Sequence, residues 1–267
     1  MRRRAGLAPA LAALAMLMLL AGPVDAERAQ VGNLIVFLDG GITPRALPRK
    51  HLAPVGVQLE AGIRTADRAP LPRVKEIRLE LAWRGVLFTR GLPVCPRVRL
   101  LSIDNREAMK ICGGALVGRG RIYSRIFLPG QKPFGLHARL LAFNGKTRQG
   151  RTAVWVLAYA SKPPVSVVLP FHVRRQPGPF RTVLVSVVPR SIGPWPRFAH
   201  FHINVSRTFT YRGRTHSYLS ASCPLPPRFT AGFLSLARAT FIPVDGPWLR
   251  AETVRSCRAR GGAETGG

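Results

Sequence analysis

A rhythm of two residues constrains this chain more than any other feature. Ile77, Leu79, Leu81 and Trp83 alternate with Glu76, Arg78, Glu80 and Arg84. One face of that segment is apolar and the other charged, the period of a half-buried β-strand. Phe201, Ile203 and Val205 alternate in the same way with His200, His202, Asn204 and Ser206. Strand-like runs also cover 34–38, 55–59, 115–128, 136–143, 153–158, 165–173, 182–188, 217–222, 233–241 and 249–255. Asn144-Gly145 is a hairpin-turn signal, because both central positions of a type I′ turn take positive φ. Arg212-Gly213 is expected to turn 207–211 back onto 215–222. The 24 prolines cannot donate to a ladder and belong at edges and turns.

One helix is expected, over Asn105–Cys112, with Ser102 or Asp104 as its cap and Gly113 at its end. No helices of 10–15 residues separate the strands. The expected fold class is therefore all-β, an antiparallel β-sandwich of about a dozen short strands with one short helix. Residues 27–260 are read as one β-rich domain, with a Pro-Gly-Pro tract at 177–179 offering a boundary between halves near 177–180. A Cys-Pro step at 95–96 and again at 223–224, each followed by a basic strand and a second cysteine, is the only trace of duplication. Residues 261–267 are read as a disordered tail.

The N-terminus fits an export signal. Arg2, Arg3 and Arg4 precede an apolar run from Ala8 to Gly22, and Val24-Asp25-Ala26 offers a cleavage site before Glu27. The run is about 15 residues, short for a membrane span, so cleavage is favoured over retention as an anchor. No later stretch is long and apolar enough to span a bilayer. The expected location is secreted or envelope-associated. In that compartment Cys95, Cys112, Cys223 and Cys257 are read as disulfides. Three connectivities are open, and sequence order favours Cys95–Cys112 with Cys223–Cys257. The spacings lack the C-x₂-C knuckle of zinc sites.

From Ala108 to Val244 there is no Asp or Glu, and the whole chain carries a formal charge of +29. A field of that sign points to anionic partners: an envelope polymer or an anionic lipid surface. Arg119, Arg121 and Arg125 share strand parity, and with Arg139 and Arg151 they form the candidate anion-binding set. Sequence-specific nucleic-acid reading has no motif. His200 and His202 point to one side of a strand, and with Arg207 and His216 they form a candidate surface site that Tyr211 and Tyr218 could join. No carboxylate lies near the histidine pair in sequence, so no metal or other cofactor is assigned.

Enzyme signatures are absent. Gly145-Lys146-Thr147 lacks the leading glycine of a phosphate loop, since position 140 is Leu140. Neither G-x-S-x-G nor H-E-x-x-H occurs. Glu76 and Glu80 share a face but interleave with arginines, which surface pairing explains more simply than paired-carboxylate catalysis. No catalytic residue is assigned.

The segments 92–96, 114–121, 140–145, 217–224, 236–241 and 256–260 carry a resemblance. On them the chain resembles a family of uncharacterised exported β-rich proteins of high-GC actinobacteria, for which no activity is established. The resemblance implies an exported β-rich protein and transfers no site residue. The expected function is non-enzymatic binding of an acidic envelope component through a basic surface. The alternatives are a secreted hydrolase with a non-contiguous His/carboxylate site and a structural envelope protein with no specific ligand.

Overall fold

The computed structural model describes residues 27–82 and 85–260. The expected signal peptide, Trp83, Arg84 and the expected C-terminal tail lie outside the described residues. Eighteen strands are described. The first seven are β1 (Glu27–Val31), β2 (Leu34–Thr43), β3 (Ala46–Leu47), β4 (Ala53–Pro54), β5 (Gly56–Thr65), β6 (Val74–Leu81) and β7 (Val86–Leu87). The middle of the chain gives β8 (Leu116–Ile126), β9 (Phe134–Lys146), β10 (Thr152–Ser161), β11 (Pro164–Arg175), β12 (Thr182–Val187) and β13 (Pro196–Val205). The remainder are β14 (Thr208–Tyr211), β15 (Arg214–Ser217), β16 (Leu219–Ala221), β17 (Ala231–Pro243) and β18 (Leu249–Ala259). The single α-helix among the described residues, α1, is Asn105–Cys112.

Thirteen strands form one sheet in the order β1-β2-β5-β13-β8-β9-β10-β11-β12-β6-β17-β18-β3. Its ladders are antiparallel except for the final β18–β3 pair. Strands from both sides of the Pro-Gly-Pro tract belong to it. The expected sandwich is not formed: the sheet curls into a half-barrel whose inner face wraps one core. Alternation demands one apolar face, and a curled sheet satisfies that demand as well as two stacked ones do. Bulges tip the balance. Register shifts occur in β8, β13 and β17, and each bends its strand and adds twist.

The sheet's two ends are stitched side by side. The Val254 amide donates to the Glu27 carboxylate at 2.9 Å. Arg255 donates to the Gly40 carbonyl at 2.6 Å and pairs with Asp39. A three-stranded patch of β4, β16 and β7 lies at the end of the barrel where β5 begins and β13 ends. The Arg212-Gly213 turn forms as read, with both residues at positive φ, and joins β14 to β15.

The inner core draws on Val36, Leu38, Leu59, Ile63, Ile77, Val154, Val156, Phe171, Phe201 and Phe241, among others. A second core lies on the outer face of β9 and β10, from Leu141, Phe143, Ala153, Trp155 and Leu157. It is covered by the excursion that carries α1. The Asp104 side chain accepts from the Glu107 amide at 2.8 Å and caps the helix; Gly113 follows in right-handed helical geometry rather than as a left-handed stop. The disulfides are Cys95–Cys112 and Cys223–Cys257, and no free cysteine is found.

Two local readings change. Asn144-Gly145 is inside β9, and the turn to β10 comes later, with Gly150 at positive φ. Asn144 is buried there and donates to the Pro93 carbonyl at 2.9 Å. Glu80 is not a surface carboxylate. It is 9 % exposed, accepts from Gln176 at 3.0 Å, and lies 3.7 Å from Arg238, which also meets Glu252 at 3.0 Å. Glu76 pairs with Arg78, the neighbour two residues on.

Candidate functional site

Two regions carry chemistry, one on each face of the sheet. On β13, Phe201, Ile203 and Val205 face the inner core and its cavity, which leaves His200, His202 and Asn204 outside. The ladders then fix a row across the outer face. Glu60 stands opposite His202, His202 opposite Arg121, Arg121 opposite Arg139, and Arg139 opposite Tyr159. One step along, Tyr123 is flanked by His137 and His200, at ring distances of 4.6 and 5.5 Å. His202 Nε2 is 2.8 Å from the Gln58 amide nitrogen.

The N-terminal turn of α1 rises beside this row. It encloses a hollow of about 520 Å³ with Arg106, Arg121, His137, Arg139 and Tyr159 in its walls, together with Asp104 and Asn105. A neighbouring hollow of about 400 Å³ adds Arg119 and Met109. Arg106, Arg119, Arg121 and Arg139 are all exposed. No carboxylate pairs with any of these four arginines among the described residues; Asp104 is occupied as the helix cap.

The structure therefore joins parts of the two sequence-derived sets and separates others. Arg119, Arg121 and Arg139 share an outer surface with His200 and His202. Arg125 continues the same strand toward Phe127, over which it stands at 5.8 Å. Arg151 lies beyond the row, after the β9–β10 turn. His216 belongs to the β14–β15 hairpin and stacks on Phe88 at 4.5 Å, with Tyr211 at 6.0 Å. Arg207 accepts the Tyr218 amide through its carbonyl at the base of that hairpin. Tyr218 is not on a shallow surface: it is 2 % exposed, inside the barrel. Among the described residues no group of three or more His, Cys, Asp or Glu could hold a metal ion, and no helix is long and apolar enough to cross a membrane.

The second region is the interior. β11 pairs with β10 along most of its length, but with β12 only over His172–Arg175. Residues 164–171 thus present an open edge, and the wall has a gap there. Pro164 and Pro170 sit on this edge strand, where a missing donor is tolerated. Behind the gap lies a chamber of about 500 Å³. Small side chains at Ser124, Ala138, Ala158 and Ala160 line it and make the room, and the 188–196 loop forms its rim. A narrower lumen of about 100 Å³ adjoins it. Ile77, Ile122, Leu169 and Phe198 line both spaces. Phe198 stands at the neck, stacked on Phe241 at 5.1 Å. The β13 bulge puts it there, since without the extra residue Phe198 would share the outward parity of His200.

Among the described residues that line the lumen, Tyr218 alone has a polar side-chain atom. Its hydroxyl is buried and has no hydrogen-bond partner among the described residues, and burial pushes its pKa far above the usual phenol range. His172, on the outer side of β11, shifts the other way. Partial desolvation, then the charges of Arg174, Arg97 and Arg151, hold its ring below the ordinary imidazole range, although much of the residue remains open to solvent. The neck phenylalanine was missed in the sequence reading, because a bulge hides it; Tyr218 was named there for the surface, and nothing local marks it as buried. No protein-family model, curated protein or solved structure matches this chain.

Proposed function

We propose that the protein is an exported, non-enzymatic binder of an acidic envelope component, engaged through the outer face of β8 and β9 beside α1. One observation carries this reading. Arg121 and Arg139 are direct cross-strand neighbours, exposed, with no carboxylate partner among the described residues. Like charges facing each other across a ladder destabilise a sheet. A phosphate or carboxylate between them removes that repulsion and accepts from both guanidiniums, a geometry arginine suits better than lysine. Arg106 and Arg119 widen the same patch. Tyr159 and His137 give it hydrogen-bonding and stacking edges. The surrounding positive field adds attraction at long range. His202 contacts Gln58, and neither His200 nor His202 lines the hollows or the interior cavities described above.

Binding to long-chain polyphosphate and to phosphatidylglycerol vesicles tests this reading across a salt titration. The wild-type protein binds both, and affinity falls as salt rises through counterion release. Substituting Arg121→Gln and Arg139→Gln together lowers affinity by about tenfold to a hundredfold and flattens the salt slope by about two charges. Phosphatidylcholine vesicles are not bound. Failure of the wild type to bind either anionic probe at low salt would sink the reading.

A further inference from the structure

The chamber behind the free edge of β11 is separate from the arginine row and independent of it. Its volume, about 500 Å³, falls in the range of ligand pockets. Hydrocarbon and polar groups are segregated along it. Ile77, Ile122, Leu136, Ala138 and Ala158 line the inner wall, where Ser124 carries the one hydroxyl. Arg97, Leu101 and Ser102 reach the mouth from the excursion before α1, and Ser191 reaches it from the rim loop. Arg97 is the only charged side chain among the described residues that line the chamber. It is exposed, and no carboxylate pairs with it among the described residues. Leu101 and Val165 line the chamber and are exposed as well, as are Val187 and Trp195 beside the lining residues Val188 and Pro196. Single exposed apolar residues are ordinary, but four at or beside one opening mark an interaction site.

We infer that the chamber takes the hydrocarbon chain of a single-chain anionic amphiphile, a fatty acid or an alkyl phosphate, whose head group is held at the mouth by Arg97. The chain lies along the inner wall toward Phe198, and removal of its apolar surface from water drives binding. The guanidinium donates to either anion through two N–H groups. No cation stands on the inner wall to receive a head group there, and an unpaired charge is costly to bury. The orientation is therefore fixed, with the chain inside and the head in the mouth, where it keeps part of its hydration. The space narrows beyond Phe198 to a lumen of about 100 Å³, which suits one chain rather than two.

The test uses the purified protein and displacement of N-phenylnaphthylamine by dodecanoate, dodecyl phosphate and dodecanol, all below micelle-forming concentrations. At least one of the two anions displaces the dye at lower concentration than dodecanol, and the tighter anion identifies the head group. Arg97→Gln weakens that anion about tenfold and leaves dodecanol unchanged. Ala138→Leu, which fills part of the chamber, weakens all three, with its melting curve recorded to separate occlusion from unfolding. Arg121→Gln with Arg139→Gln leaves displacement unchanged, so failure at the outer face and failure in the chamber are told apart. Four results would overturn the proposal: no displacement by any of the three, dodecanol as tight as both anions, no effect of Arg97→Gln, or a loss in the Arg121/Arg139 variant as large as that in Arg97→Gln.

Discussion

At Gly145 the difference between fold and misfit is one methyl group. An added Cβ would meet the Trp155 indole nitrogen at 2.2 Å, and that indole is pinned by its own bond to the Cys95 carbonyl at 3.0 Å. The glycine is here for close packing, not for a turn. That is why the Asn-Gly reading failed: the same dipeptide serves a hairpin or a tight tertiary contact, and only the contact partner decides. Asn144 shows the same override, since its side chain is used to hold Pro93. Gly145→Ala is expected to destabilise the protein by about 1–3 kcal/mol, measured as a lower urea midpoint with an unchanged slope. At this scale the shared side of His200 and His202, and of Arg119 and Arg121, was legible, because parity along a strand is local information; the facing of Arg121 and Arg139, which needs the ladder register, was not. Phe198 and Tyr218 were not. A single bulged residue reverses parity, and burial of a tyrosine at a barrel's end depends on strands far away in sequence.

The elements behave as the sequence suggests where they are self-contained. α1 is capped by Asp104, begins at Asn105 and is tied at Cys112, all local features. What the sequence did not reveal is the helix's position on the outside of the sheet, over a second small core. The hint was there in β10, where Ala153 to Ala158 is apolar without alternation, as a strand covered on both faces must be. The helix excursion is held by that core, by side-chain bonds from Asn144, Trp155 and Ser166 to its backbone carbonyls, and by the Cys95–Cys112 bond, which closes a loop of separation 17. Replacing both cysteines by serine is expected to cost about 3 kcal/mol. The excursion becomes the first site of proteolytic cutting, while the strands stay protected. Limited proteolysis with mass mapping distinguishes this from global loosening, in which cuts would scatter through β9 and β10.

For the whole molecule, the β-rich class was legible and the architecture was not. Alternation reports how many faces are wet, not how the dry faces are brought together. The half-barrel depends on contacts between its ends, and Arg255 is the clearest of them. Its pairing with half-exposed Asp39 adds little by itself, but its bond to the Gly40 carbonyl is charge-assisted. Arg255→Ala is expected to lower stability by about 1–2 kcal/mol, read as a lower melting temperature. Hydrogen exchange should then quicken first in β1, β2 and β18 rather than uniformly. The same seam has a consequence in time. Its two sides come from opposite ends of the chain, Glu27 on one and Val254 on the other, so a ribosome delivers the first strand long before its neighbour exists. β5 waits for β13 and β6 waits for β17 as well. Contacts so distant in sequence make folding slow. β1, β2 and β5 can pair with one another at once, but the edge that β13 later covers stays open through that interval, and the half-formed chain is at its most vulnerable to association with its own copies then.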